Sequence, residues 1–150
     1  FPTFICETTK EQWEDLVASN GKAPFFLSQE LAPTLAKHQG NIVNMIDIHA
    51  SAPLKNHTVY CMAKSALQMM TLSLAKELAP NIRVNGLAPG AILWPKPEAE
   101  MTPEEKNKIL SGIPLERLGT LEDIAKTIVF LATSPYITGQ IIAVDGGRSI

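Results

Sequence analysis

The chain has 150 residues, 45% of them hydrophobic and 19% charged, with a formal net charge of -2. Its length and apolar content suit one globular domain with its own core, residues 1–150. The charge gives no basic footprint for nucleic acid, and no run approaches the roughly 20 apolar residues of a membrane-spanning helix.

The sequence opens Phe1-Pro2-Thr3 without an initiator methionine or a charged and apolar leader, as expected of a processed chain, a fragment or a chain missing its front. Thr8 followed by Glu11 reads as a capping box, and Trp13, Leu16 and Val17 recur at helical spacing behind it. That pattern runs through Phe25, Phe26, Leu27 and Leu31 to about Leu35; Gly21 and Pro24 weaken its middle and Gly40 closes it. Asn41 to Ile48 is a nearly continuous apolar run, the pattern of a strand buried on both faces. A helix is predicted from about Val59 to Leu78, and between Tyr60 and Ala75 its only charged residue is Lys64. A helix so apolar needs cover on more than one side: a sheet on one, another helix, from this or a second subunit, on the other.

Arg83 to Ala88 is the next strand, ended by Pro89-Gly90. Thr102-Pro103-Glu104-Glu105 is a helix start, with a cap, a proline at the first helical position and an acidic first turn. Thr120 opens another helix, whose apolar side carries Leu121, Ile124, Ala125, Ile128, Val129 and Leu131. Gln140 to Val144 is the last strand, and Asp145-Gly146-Gly147 turns out of it.

Strands alternating with helices predict a parallel sheet, hence an α/β domain. The expected architecture is a Rossmann-like doubly wound parallel sheet with helices on both faces. Such a sheet usually has about six strands in two halves, with a Gly-rich phosphate-binding turn in the first. No G-x-G-x-x-G stands in this chain. The expectation is that the second half is here and the N-terminal half is missing.

Tyr60 and Lys64 lie four residues apart on the predicted helix, so they project from one face. The helix follows a buried strand, which puts the pair near the C-terminal edge of the sheet, where open α/β sheets bind ligands. A lysine cation beside a tyrosine favours the phenolate and is expected to lower a pKa that starts near 10, making the phenol a usable general acid or base. A surface lysine beside a packed tyrosine is the alternative. Cys6 and Cys61 fit free thiols in a reducing cytoplasm, and His38, His49 and His57 show no ligand spacing, so no metal site is expected.

Tyr60-Cys61-Met62-Ala63-Lys64-Ser65-Ala66 resembles the active-site helix of short-chain dehydrogenases/reductases. Arg83-Val84-Asn85-Gly86-Leu87-Ala88-Pro89-Gly90 looks like the strand and turn that follow it in that family. Pro114, Arg117, Gly119 and Glu122-Asp123-Ile124-Ala125 resemble a further family stretch, and Thr138-Gly139-Gln140 with Val144-Asp145-Gly146-Gly147 its end. Within the family the chain resembles bacterial pteridine reductases, on Pro2-Thr3, Asn20 through Gln29, Asp47-Ile48-His49-Ala50 and Pro89 through Pro95. Most family members place a serine thirteen residues before the tyrosine; Asp47 stands there in this chain, as in pteridine reductases, and Ser51 has the wrong offset.

The resemblance implies an NADPH-dependent reductase of a pterin or folate. Tyr60 would deliver a proton, Lys64 would tune it and hold the nicotinamide ribose, and Asp47 would be a second acid or else a structural cap. Asn20 would help organise a water-linked proton relay, although Gly21 replaces the usual leucine beside it; its alternative is a polar break in a helix. The backbone of Pro89, Gly90, Ala91 and Ile92 would receive the nicotinamide carboxamide, with Gly90 letting main chain approach a flat ring. Trp94 would line the substrate pocket or simply pack. In pteridine reductases an aromatic residue just upstream of the region matching Phe1 stacks on the pterin, and the turn for the pyrophosphate and the strand that selects NADP over NAD also have no counterpart here. The other readings are a carbonyl reductase of the same family and a non-catalytic oligomerisation fragment. A dimer or tetramer, built on the helices near Glu11–Leu35 and Val59–Leu78, is expected.

Overall fold

The computed structural model describes residues 1–95, 97 and 100–150. Five α-helices and three strands alternate along it: α1 (Lys10–Val17), α2 (Ala23–Lys37), β1 (Asn41–Met45), α3 (Thr58–Glu77), β2 (Arg83–Pro89), α4 (Pro103–Leu110), α5 (Leu121–Thr133) and β3 (Ile141–Val144). The strands form a parallel sheet in the order β1-β2-β3, with Met45 beside Leu87 and Pro89 beside Val144. All three strands therefore end at one edge of the sheet.

Alternation along β2 divides the core. Val84 packs with Leu74, Ala75 and Ile82, and Ala88 packs with Ile46, Ile48 and Leu67, which puts α3 and α2 on one face. On the other, the Arg83 guanidinium donates to the carbonyls of Leu131, Ala132 and Ile137, and the Asn85 amide also donates to Ile137. A half-buried arginine needs such acceptors, and here they also satisfy the end of α5. Gly86 leaves space that Ile46 and Ile141 fill, since a Cβ there would lie 2.3 Å from one Cδ1 and 2.7 Å from the other.

Several predicted boundaries move. The first capping box is Thr9 with Gln12, because the Thr8 hydroxyl turns back to the Phe4 carbonyl at 2.7 Å. The helical pattern expected to run to about Leu35, weakened at Gly21 and Pro24, contains a π-helical segment, Ala18–Lys22. There the Ser19 hydroxyl and the Asn20 amide bond to the carbonyls of Asp15 and Leu16, competing with the regular backbone ladder. The strand expected to reach Ile48 stops at Met45: Asp47 Oδ1 accepts from the His49 amide at 2.8 Å and starts a 3-10 turn, Ile48–Ala50. Thr102 and Thr120 head complete capping boxes at the predicted places.

Candidate functional site

The C-terminal edge of β1 and the first two turns of α3 bring three of the candidate residues together. Asp47 lies two residues beyond β1, and its carboxylate is shared. Oδ1 caps the 3-10 turn, while Oδ2 accepts from the Tyr60 hydroxyl at 2.6 Å. Asp47 is thus both a structural cap and a partner of the phenol, where sequence alone left a choice between the two. Lys64, one turn further along α3, donates from Nζ to the Met45 carbonyl at 3.0 Å and lies 5.8 Å from the centroid of the Tyr60 ring.

The electrostatics run against the expectation for the tyrosine. Burial, the hydrogen bond to Asp47 and then the charge of Asp47 together raise the Tyr60 pKa well above the ordinary tyrosine value. Lys64 does not offset these influences; burial lowers its own pKa, and Asp47 opposes that drop. The raised value keeps the phenol protonated, with its O–H given to Asp47, and makes it a weaker acid than a free tyrosine, against the lowering expected from Lys64.

Asn20 is not drawn into this cluster through its side chain. Its amide donates to the Leu16 carbonyl at 2.9 Å and to the Ser19 hydroxyl at 3.1 Å, within its own helical turn. The π-helical segment that carries it does pack against α3. Ser51 donates to Gln68 Oε1 at 3.3 Å, away from Tyr60, in keeping with its offset. A cleft of about 280 Å³ opens on Asp47 and has Ser51, Gln68 and Ser149 as its polar lining.

The loop after β2 is pinned from two sides. Gly90 N–H donates to the Val144 carbonyl at 3.0 Å, and Gly119 N–H to the Ala91 carbonyl at 3.0 Å. Pro89 still belongs to β2, and Ala91 and Ile92 follow it in the loop. A Cβ on Gly90 would stand 2.6 Å from Asp145 Cβ and 2.7 Å from its Cα. The neighbouring strand end by itself accounts for a glycine at this position. The Trp94 ring lies 5.9 Å from Lys106 Nζ, a cation–π contact with α4.

One contact at the site has no local signal. Helices α1, α4 and α5 each begin with their own capping box, but His57, at the N-cap of α3, makes no side-chain capping bond. Thr3 supplies one: its Oγ1 accepts from the Val59 amide at 3.3 Å, while its own amide donates to the Asn56 carbonyl. Nothing in the sequence points to it, since Thr58 stands ready as a cap for a helix predicted from about Val59, whereas the structure starts the helix at Thr58 itself.

The pattern of the family described as enoyl-(acyl carrier protein) reductase matches residues 3–149. This chain belongs to the short-chain dehydrogenase/reductase family. Short-chain reductases of several names are similar to it. It is 40% identical over 147 residues to pteridine reductase 1 of Leishmania tarentolae, covering 91% of this chain and 50% of that protein. It is also 40% identical over 145 residues to a 3-oxoacyl-[acyl-carrier-protein] reductase of Thermotoga maritima, covering 94% and 58%. An L-xylulose reductase of Caenorhabditis elegans is 34% identical over 151 residues, covering 97% and 60%. Among solved structures, an apo SCOR enzyme from Clostridium thermocellum superposes with a TM-score of 0.87 at 30% identity, over 99% of this chain and 58% of that one. The chain thus spans between half and three fifths of the relatives it matches. These short-chain reductases support an oxidoreductase; their names do not agree on a substrate.

Proposed function

We propose that this chain carries the proton-transfer part of an NADPH-dependent short-chain reductase acting on a pterin or dihydrofolate-type substrate. The observation that carries this reading is the 2.6 Å hydrogen bond from Tyr60 to Asp47, at the position where most of the family has a serine. A serine can only hydrogen-bond, whereas a carboxyl group can also hold and release a full proton. Reduction of a C=N bond adds hydride to carbon and a proton to nitrogen.

When bound, NADPH supplies the hydride. Tyr60 gives its O–H proton to the substrate nitrogen. Asp47 is the second acid at the same ring, by virtue of a carboxyl group that can hold and release a proton. Lys64 has three N–H donors, of which the Met45 carbonyl takes one, and the rest suit the ribose hydroxyls. The main chain of Pro89, Gly90, Ala91 and Ile92 receives the carboxamide, and Asn20 supports the proton relay from the turn beside α3.

A carbonyl reductase of the same family is the second reading, favoured by the 3-oxoacyl and xylulose reductases among the relatives. Comparing kcat/KM for a dihydropterin and a small dicarbonyl, in wild type and Asp47→Ser of the full gene product, separates the two. Pterin reduction is expected to suffer more than NADPH binding, and dicarbonyl reduction to be spared. Equal losses on both substrates with an unchanged pH profile would remove the case for pterins. Lack of activity on either substrate would leave the chain as an oligomerisation unit.

A further inference from the structure

We infer that Thr3 is a positioning residue for Tyr60, acting as the N-terminal cap of α3 from outside the helix; the inference rests on the reading of Tyr60 as proton donor. A helix leaves its first N–H groups without partners, and a hydroxyl or carboxylate at the N-cap normally satisfies one of them. In α3 the N-cap residue is His57, in a non-helical conformation and with no side-chain bond to the turn it precedes. The hydroxyl that reaches the second helical residue, Val59, comes from Thr3, 56 positions earlier. The next residue is Tyr60.

Three further observations show that Thr3 is built into this place. It is 1% exposed. Its backbone makes a parallel bridge with His57, and its amide donates to the carbonyl of Asn56, itself in the left-handed region at φ 63. The helix start is therefore held from both its backbone and its hydroxyl side by one residue of the opening segment. Without the cap the first turn can fray, and Tyr60 lies in that turn. Lys64 lies one turn deeper and is tied separately to Met45. Loss of the Thr3 hydroxyl thus loosens the backbone turn that carries the proton donor, whose hydroxyl keeps its tie to Asp47, and leaves the ribose-holding lysine in place.

The test uses the full gene product with Thr3→Val, Thr3→Ser and Tyr60→Phe. Thr3→Val keeps shape and removes the acceptor; kcat is expected to fall by about 10- to 100-fold, the scale of a small misplacement of a reacting group, with the KM for NADPH changed by less than about twofold. Hydrogen exchange at the amides of Val59 and Tyr60 should speed up in the same variant. Thr3→Ser should restore both kcat and protection, since it keeps the hydroxyl. Thr3→Ala makes the same comparison if the valine variant does not fold. Unchanged kcat and exchange in Thr3→Val, or equal damage in Thr3→Ser, would overturn the inference. An inactive Tyr60→Phe beside a fully active Thr3→Val would overturn it alone, whereas an active Tyr60→Phe would overturn the proton-donor reading together with it.

Discussion

The carboxylate of Asp47 is divided between two partners: Oδ1 takes the His49 amide at 2.8 Å and Oδ2 takes the Tyr60 hydroxyl at 2.6 Å. The backbone bond fixes the direction of the carboxylate, so the second oxygen is presented to the phenol in a set geometry. Substitutions at Asp47 therefore act on both the turn and the tyrosine, and the consequences below differ according to which is lost.

Tyr60→Phe in the full gene product removes the proton donor and keeps the ring. Turnover is expected to drop by about 10² to 10⁴, the usual worth of a positioned general acid. Lys64→Ala should lower turnover and weaken NADPH binding together. Steady-state kinetics with a cofactor titration reads both, and normal turnover in Tyr60→Phe would place the chemistry elsewhere.

The ionisation of Tyr60 should lie above the ordinary tyrosine value near 10, with burial and Asp47 as the causes. Because the folded value is raised, the stability linked to this group is present below the unfolded pKa and is lost as pH climbs towards the folded one. Asp47→Asn removes the charge, so Tyr60 should ionise at lower pH and the pKa of Lys64 should drop further. The difference in ultraviolet phenolate absorbance between each protein and its Tyr60→Phe counterpart measures the shift; no movement in Asp47→Asn would leave burial as the sole cause.

The isolated 150-residue chain is expected to bind NADPH poorly. It contains no Gly-rich turn to set backbone N–H groups and a helix N-terminus against the pyrophosphate. Isothermal titration is the check, and low-micromolar binding would contradict it.

Self-association through α2 and α3 is expected of the full gene product. Phe25, Phe26 and Leu31 on α2 and Met62, Met69 and Leu72 on α3 are exposed apolar side chains, with Met69 at 61%. Only one stripe of α3, through Val59, Ala63, Leu67 and Leu74, is covered by this chain. Light scattering should give a dimer or tetramer at micromolar concentration, and Met69→Lys with Leu72→Lys should shift it towards monomer. A wild-type monomer would contradict the expectation.

Gly90→Ala should destabilise the fold by about 1–3 kcal/mol, as overpacking does, because its Cβ would press on Asp145 where the β2 and β3 ends meet. Chemical denaturation measures this. An unchanged midpoint would mean that the Asp145 turn yields freely.

Much of the fold could be read from the chain because its signals are local. Capping boxes at Thr102 and Thr120 span four residues, and the apolar run at Asn41 and the Arg83–Ala88 segment carry strand patterns in themselves. The spacing of Tyr60 and Lys64 put them on one helical face for the same reason. What the sequence could not decide are relationships between distant segments. The raised pKa of Tyr60 depends on its burial and on a carboxylate thirteen residues away arriving within 2.6 Å. The requirement for glycine at Gly90 comes from Asp145 on another strand, and the cap on α3 comes from Thr3. Local pattern sets which element a segment forms, because hydrogen bonding and amphipathicity act over one or two turns. Packing alone decides which charge faces which phenol, because burial and close approach exist only once the strands are side by side.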